Sequence, residues 1–316
     1  MKFSTHIPIS KYQFPIDYNS RIMSLGSCFA ENMAEKFEYF KFQNTTNPFG
    51  IIFNPISIER IIERIINQEV FTKKDIFFHN KMWHCFEVHS CLSNSDKNVF
   101  LESLNFILEK TRNQIIGLSH YIITYGTSWV YRNIETNRVV ANCHKMSQKQ
   151  FTKELLSVET TQKSIEDTIS LIQKINPKCH FIFTVSPVRH QKDGFFENNV
   201  SKAHLLSALH HLVKQSLTKH SYFPSYEILL DELRDYRFYA NDMLHPSQQA
   251  IDYIWEKFAS STISEQSISI MIEVESMQKM IFHKSMNSNS TQNQQFKLQI
   301  VEKINLLRLK YPQIIF

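Results

Sequence analysis

The sequence has 316 residues, a formal net charge of +5 and 42% hydrophobic residues. This length and apolar fraction favour a globular protein with one large domain, and the Lys and Arg residues are spread along the chain, so no nucleic-acid partner is expected. The apolar runs are far shorter than the roughly 20 residues that span a bilayer, so no membrane span is predicted.

The N-terminus and the cysteines indicate the compartment. The first residues contain no continuous apolar segment and no small-residue cleavage site, so a cytoplasmic location is expected. The five cysteines, at 28, 85, 91, 143 and 179, lack the paired spacing of a disulfide or metal framework. His79, His84 and His89 show no spacing that makes their side chains converge, so neither a metal nor a cofactor is expected.

The first predicted element is a strand over 22–25 that runs into a turn and a helix over 30–40. Gly26 suits a tight turn, and Ser27 is a good N-cap residue. A helix N-terminus favours negative charge, so Ser27 or Cys28 is a candidate nucleophile here. The alternative is a capped junction with a packing thiol, because a free Cys often behaves as a small hydrophobe.

The following segments alternate between strands and helices. Buried strands are predicted from residue 120 to Gly126, over 181–185 and over 226–231, with two hairpins over 77–88 and 130–141. Helices are predicted over 57–68, 102–113, 164–175, 201–217 and 250–258. This alternation predicts an α/β fold with a mainly parallel sheet and helices on both faces.

The last part of the chain differs in composition from the rest. Two helical stretches, over 262–284 and 296–310, flank a run rich in Ser, Asn and Gln over 286–295. We therefore predict one domain over 1–259 and a helical extension over 260–316, which forms an appendage or a lid.

A second motif suited to catalysis precedes the helix over 250–258. Asp242 stands three residues before His245, which lets the carboxylate bond one imidazole nitrogen and leaves the other free as a general base. The chain contains 14 His, so the spacing by itself is a weak signal. Together with the nucleophile turn it is moderately specific.

Several motifs, in this order, resemble the GSCFA domain family. They are GSCFAEN at 26–32, NPFG at 47–50, TYGTSWVY at 124–131, NCHK at 142–145, TVSPVRH at 184–190, YFPSYE at 222–227 and DMLHPS at 242–247. That family is placed with the SGNH (GDSL-like) hydrolases, so the resemblance implies a flavodoxin-like three-layer α/β/α sandwich. It also implies hydrolysis or transfer of a carboxylic ester, often on glycans or lipids.

The resemblance assigns catalytic roles to four residues. Asp242 would orient His245, and His245 would act as the base. The Gly-Asp-Ser pattern of the superfamily, laid on residues 26–28 without a gap, puts Cys28 at the nucleophile position, whereas a shift of one residue would make it Ser27. We favour Cys28, because it stands where the helix begins and its thiol would be activated there.

The resemblance also implies an oxyanion hole. The second motif, from Asn47 to Gly50, would supply the Gly50 N–H. The third motif usually contains an Asn, but here it runs from Gly126 to Ser128 and lacks one, so Ser128 or Asn142 would have to donate instead. A missing donor costs on the order of a hundredfold in rate or more. This departure speaks against an ordinary esterase and favours a second hypothesis, a non-hydrolytic module that binds a glycan or an acyl carrier.

Three further residues are candidates for substrate binding. His144, Arg189 and His190 could bind an anionic part of a small-molecule or glycan substrate, such as a phosphate or carboxylate. The alternative is that they pair with acidic residues of nearby loops. The sequence does not indicate an oligomeric state.

Overall fold

A five-stranded parallel sheet forms the centre of the molecule. The structure, a computed structural model, describes residues 5–215, 220–282 and 291–316. The strands are β1 (Arg21–Gly26), β2 (Gln43–Thr46), β3 (Phe77–His79), β4 (Met82–His84), β5 (His120–Tyr125), β6 (Trp129–Asn133), β7 (Val139–Val140), β8 (Phe151–Leu155), β9 (His180–Val185) and β10 (His220–Phe223). The central sheet has the order β10-β9-β5-β1-β2, which is the flavodoxin-like order. The predicted fold class is confirmed.

Helices cover both faces of this sheet. The helices are α1 (Cys28–Tyr39), α2 (Pro55–Asn67), α3 (Lys97–Ile116), α4 (Val158–Ile175), α5 (Phe195–Gln215), α6 (Ser225–Glu227), α7 (Gln248–Thr262), α8 (Glu265–Phe282) and α9 (Thr291–Lys310). Alternate residues of the buried strand β5 face opposite sides: Tyr121, Ile123 and Tyr125 pack with α2 to α5, whereas Ile122 packs with α1, α7 and α8. None of these described helices is long and apolar enough to cross a bilayer.

Two small antiparallel sheets lie outside the central one. Strands β3 and β4 form the hairpin predicted within 77–88. Strands β6 and β7 form the second predicted hairpin, and β8 adds to its other edge. The second small sheet, β7-β6-β8, follows directly on the turn at the end of β5 and so stands beside the carboxyl edge of the central sheet.

The structure differs from the sequence prediction at both edges of the central sheet. The fourth predicted strand, over 226–231, is helical, because the strand β10 ends before Pro224 and the chain then enters α6 and a π-helical turn over Ile228–Leu233. Its apolar residues Ile228 and Leu229 are buried as one face of a helical turn. At the other edge, the polar segment Gln43–Thr46, for which no strand was predicted, is the edge strand β2, paired with β1.

The described part of the C-terminal segment packs on the face that carries α1 and α7. Helix α7 extends to Thr262, and Val274 and Met277 of α8 share an apolar cluster with Phe37 of α1. Residues 216–217, 283–284 and 286–290 of the predicted elements lie outside the described residues. The division into two domains after residue 259 stays a prediction.

Candidate active site

A cleft of about 510 Å³ opens at the carboxyl edge of the central sheet. Five of the residues singled out in the sequence line it: Ser27, Cys28, Arg189, His190 and His245. The cleft lies where the strand order reverses between β1 and β5, which is the place where such folds bind ligands. All its lining residues fall between residues 27 and 245, so the described part of the C-terminal helices does not close it.

The turn between β1 and α1 is fixed by hydrogen bonds from both sides. The N–H of Gly26 donates to Oδ1 of Asn47 at 2.9 Å, and the N–H of Ser27 donates to the Thr124 carbonyl at 3.1 Å. Gly26 has φ +139°, and a Cβ there would lie 2.1 Å from the Thr124 oxygen, so a residue with a side chain does not fit. The turn therefore presents residues 27 and 28 in one orientation.

Ser27 and Cys28 are placed differently on this turn. Ser27 is the N-cap of α1; its side chain is 3% exposed, and its Oγ accepts a hydrogen bond from the Phe29 N–H at 3.3 Å. Cys28 is the first residue of α1, is half-buried and lines the cleft. The hydroxyl of Ser27 thus already serves the helix, whereas the thiol of Cys28 has no such role.

The environment of Cys28 keeps its thiol protonated. Burial raises the pKa of Cys28, and the nearby Glu31 carboxylate raises it further. The N–H groups of Phe29 and Cys28 and the ammonium group of Lys202 lower the pKa, but they do not outweigh burial. This net direction is the opposite of the activation expected from the sequence. Cys28 would need a base to become a nucleophile.

Asp242 and His245 form the expected pair. Nδ1 of His245 lies 2.6 Å from Oδ2 of Asp242, and Oδ1 accepts the N–H groups of Leu244 and His245 at 2.9 and 3.0 Å. These backbone hydrogen bonds and then the imidazole lower the pKa of Asp242 to about 2, so it is ionised at neutral pH. The ionised carboxylate therefore accepts a hydrogen bond from Nδ1–H and leaves Nε2 as the free acceptor.

The loop that carries His245 is attached to the loop after β9. The N–H of Arg189 donates to the Leu244 carbonyl at 3.2 Å, and the N–H of Ala240 donates to the His245 carbonyl at 2.8 Å. The Arg189 guanidinium lies over the Tyr239 ring, 4.3 Å from its centroid. These contacts position the imidazole at the cleft. Among the described residues, no hydrogen bond joins His245 to Ser27 or Cys28.

The groups expected in the oxyanion hole are hydrogen-bonded to other parts of the protein. The N–H of Gly50 donates to the Asn47 carbonyl at 2.7 Å, and the Asn47 side chain holds Gly26 and reaches Glu31. The N–H of Gly126 donates to the Phe53 carbonyl at 2.8 Å. None of these groups points a free donor into the cleft.

Ser128 and Asn142, expected as substitutes for the missing Asn, are also engaged. The Ser128 hydroxyl is fully buried and donates to the Ser201 carbonyl at 3.0 Å. The Asn142 Oδ1 accepts the His144 N–H at 2.7 Å, and neither Ser128 nor Asn142 lines the cleft. The Ser128 hydroxyl is thus held by α5, whereas the Asn142 side chain stabilises a turn of its own segment.

The three candidate anion-binding residues divide into two groups. Arg189 and His190 line the cleft, whereas His144 lies outside it, with Nε2 2.7 Å from the Cys85 carbonyl and its ring 4.7 Å from that of His84. Burial lowers the pKa of both His144 and His190 to about 4, so both are neutral at pH 7. Of the three, Arg189 is the one that brings a positive charge to the cleft.

One buried group near the site was not recognised in the sequence. Lys202 of α5 is 1% exposed, and its ammonium group donates to the Gly126 and Ser186 carbonyls at 2.6 and 2.7 Å. The spacing of Lys202 relative to the buried Leu205, Leu209 and Leu212 puts a charged residue on the apolar face of the helix. This pattern in the sequence could have revealed Lys202.

The chain is similar to known proteins at two levels, that of a protein family and that of solved structures. The model of the GSCFA family matches residues 21–258. A search among curated proteins gave no match. Among solved structures, one similar chain is described as the crystal structure of a carbohydrate esterase family 3 from Talaromyces cellulolyticus. It is 7% identical, with a TM-score of 0.35, over 80% of this chain and 99% of that chain.

Proposed function

The chain belongs to the GSCFA family, and we propose that it is an SGNH-type esterase or acyltransferase that acts on an acyl ester through Cys28, His245 and Asp242. The observation that carries this proposal is the convergence of two motifs on one cleft. The first residue of α1 and the ordered pair of Asp242 and His245 come from opposite ends of the domain, and both Cys28 and His245 line that cleft.

In the proposed reaction the proton of the Cys28 thiol passes to Nε2 of His245 as the sulfur attacks the carbonyl carbon of the ester. The carbon–oxygen bond breaks, the leaving alcohol takes the proton from His245, and a thioester on Cys28 remains. Water or a hydroxyl of a second substrate then takes the acyl group and restores the thiol. Asp242 remains ionised and stabilises the imidazolium that forms.

In the proposed site, the backbone N–H of Cys28 and the imidazole of the neutral His190 are the two hydrogen-bond donors to the oxyanion. The N–H of Cys28 is in the first turn of the helix, where no backbone carbonyl of the helix accepts it. Nε2 of His190 is buried without a hydrogen-bond partner among the described residues, and its neutral ring can carry a proton on that nitrogen. Both residues line the cleft, so the proposed oxyanion hole does not require the Asn that the third motif lacks.

The size and lining of the cleft support a small-molecule or glycan substrate. The volume of the cleft lies within the range of roughly 300–1,000 Å³ that is usual for small-ligand sites. Phe53, Trp129 and Tyr131 supply aromatic surface, and Arg189 supplies a charge for an acidic substituent. Hydrolysis and acyl transfer both remain within the proposal, because they differ only in the second acceptor.

A second candidate is a catalytically inactive module that binds a glycan or an acyl carrier in this cleft. The specific observation in its favour is that the donors of Gly50, Asn47 and Ser128 are hydrogen-bonded elsewhere and that Asn142 does not line the cleft. Such a module would not be labelled covalently by a fluorophosphonate or acyl probe, whereas the proposed enzyme would.

Turnover of p-nitrophenyl acetate tests the enzyme proposal. Replacement of the general base, His245→Ala, should lower the rate by about 100-fold to 10,000-fold. The control is His210→Ala, which removes an exposed imidazole from α5 away from the cleft and should leave the rate unchanged. A His245→Ala rate within about twofold of the wild-type rate would contradict the proposal.

A further inference from the structure

The cleft is also lined by His89, an imidazole that the proposed reaction does not use. His89 follows the hairpin of β3 and β4 and directly precedes a short helical turn, Ser90–Leu92. Its side chain is half-buried. A few polar groups on the wall of a ligand-sized cleft usually serve to orient the ligand, so the hydrogen bonds of this ring are informative.

One hydrogen bond of the ring indicates where its proton lies. Nδ1 of His89 accepts a hydrogen bond from the Cys91 N–H at 3.4 Å and so caps the turn Ser90–Leu92. A ring nitrogen that accepts carries no proton, and a neutral imidazole has one N–H, so the proton is on Nε2. The described residues provide no hydrogen-bond partner for Nε2. The ring therefore offers one free donor.

The backbone of His89 is joined by hydrogen bonds to the turn that presents the nucleophile. The link is the turn over residues 47–50. At one end, Oδ1 of Asn47 accepts the Gly26 N–H at 2.9 Å. At the other, the Phe49 carbonyl accepts the His89 N–H at 3.0 Å. Two hydrogen bonds and one short turn thus fix the place of His89 relative to the start of α1.

Gly50 explains how the imidazole fits against this turn. Gly50 has φ +74°, and a Cβ there would lie 2.4 Å from Cβ of His89 and 2.9 Å from Sγ of Cys91, so a residue with a side chain does not fit. The Gly50 N–H, the donor expected from the sequence, is bound to the Asn47 carbonyl. The side chain packed against Gly50 therefore brings a donor to the cleft where the Gly50 N–H does not.

We propose that Nε2–H of His89 is a third donor to the oxyanion, beside the N–H of Cys28 and the imidazole of His190. It donates a hydrogen bond to the ester oxygen that becomes negatively charged when the Cys28 sulfur attacks the carbonyl carbon. No proton leaves His89 in this step, and the ring remains neutral. This inference deepens the proposed function and rests on it.

A purely structural role of His89, as the cap of the turn Ser90–Leu92, predicts a different response to substitution. Ser is a favoured capping residue, so His89→Ser keeps an oxygen that can accept the Cys91 N–H and removes the imidazole donor. His89→Gln keeps an N–H donor on a side chain of similar length. The two variants therefore separate the cap from the donor.

The test is the steady-state turnover of p-nitrophenyl acetate. His89→Ser should lower kcat by about 10-fold to 1,000-fold and leave KM nearly unchanged, because the donor acts on charge that exists only in the transition state. His89→Gln should recover part of this loss. His211→Ser removes an exposed imidazole from α5 and should leave both kcat and KM unchanged.

A measurement without substrate keeps the test decisive if the variants do not fold. Nitrogen NMR of the histidine rings of the wild type, at about pH 8 where an imidazole is neutral, should show the His89 proton on Nε2. A proton on Nδ1, or a kcat of folded His89→Ser equal to that of the wild type, would overturn the proposal. Failure of the proposed function would appear separately, as p-nitrophenyl acetate turnover that does not depend on His245.

Discussion

Ser27 and Cys28 are adjacent on one turn, yet only one of them is free for chemistry. The Ser27 hydroxyl is buried and caps α1, and its removal would cost about 1 kcal/mol of helix stability. The Cys28 thiol lines the cleft, but burial raises its pKa. The proposed site therefore depends on a general base rather than on a preformed thiolate. The pair of Asp242 and His245 is suited to that task.

Gly26 is the residue on which the geometry of the turn depends most directly. Gly26→Ala should destabilise the protein by about 3 kcal/mol or more, because the added Cβ would meet the backbone oxygen of Thr124 at 2.1 Å and φ is +139°. The free energy of unfolding in urea measures this effect.

Gly117→Ala is the matched control. A Cβ there would lie 2.8 Å from the end of the flexible Arg21 side chain, which can move, and Gly117 has an ordinary φ of −101°. Its effect should be below about 1 kcal/mol. Equal unfolding free energies for the two variants would show that Gly26 is not constrained as described.

At the scale of elements, burial explains which predictions were correct. The strands β1, β5 and β9 are continuous apolar runs, and such runs are typical of strands covered on both faces. The edge strand β2 reads QNTT and has no apolar signal. The pair Ile228 and Leu229 suggested a strand, but Pro224 ends β10 before it and the pair is buried on a helical turn.

The site was predictable in the same uneven way. Cys28, Asp242 and His245 were named from short local spacings; Cys28 and His245 do line one cleft and Asp242 does bond His245, whereas their catalytic roles stay a proposal. The expected oxyanion donors were named from family position alone, and their hydrogen-bond partners depend on how distant turns pack. Lys202 was missed although its spacing puts it on the apolar face of α5, because its partners, the carbonyls of Gly126 and Ser186, are set by the packing of distant segments.

Glu232 connects several elements through one buried carboxylate. It accepts hydrogen bonds from His6 and the Ile7 N–H of the N-terminal segment and from Tyr253 of α7, and it forms an ion pair with Lys257 at 3.0 Å. Burial by itself raises the pKa of Glu232, but these hydrogen bonds outweigh it and lower the pKa to about 2.

This pKa predicts how the contribution of Glu232 to stability depends on pH. A lowered pKa means that the carboxylate stabilises the fold fully above about pH 4.3, and that this stabilisation is lost as the pH falls towards about 2. Glu232→Gln should therefore lower the unfolding free energy by about 2 kcal/mol at pH 7, and by much less at about pH 3. Urea unfolding at the two pH values measures the difference.

Glu265→Gln is the control for this prediction. Glu265 also pairs with the N-terminal segment, through Lys11, but both side chains are exposed. Solvent and salt screen exposed ion pairs, so this variant should be close to the wild type at both pH values. A pH-independent loss in Glu232→Gln would mean that the carboxylate charge does not carry the stabilisation.

For the whole molecule, the two faces of the sheet have different surroundings, and the cleft lies at the edge between them. One apolar cluster joins the sheet to α2 to α5, and the other joins it to α1, α7 and α8. Cys28 begins a helix of the second face, Lys202 belongs to a helix of the first, and His245 lies on the loop that leads into α7. The candidate site is thus assembled by the complete fold and not by one segment.

The most direct test of the account is to locate the acyl adduct that forms on the intact protein with p-nitrophenyl acetate. Mass spectrometry of the quenched protein and of its peptides would be applied to the wild type and to Cys28→Ala, Ser27→Ala and His245→Ala. The exposed Cys91 serves as an internal control, because its acylation should not depend on His245.

We expect an adduct on Cys28 that persists in Ser27→Ala and is lost or greatly slowed in His245→Ala. An adduct on Ser27 would contradict the assignment of the nucleophile. The absence of any adduct dependent on His245 would contradict covalent catalysis in this cleft and favour the binding module.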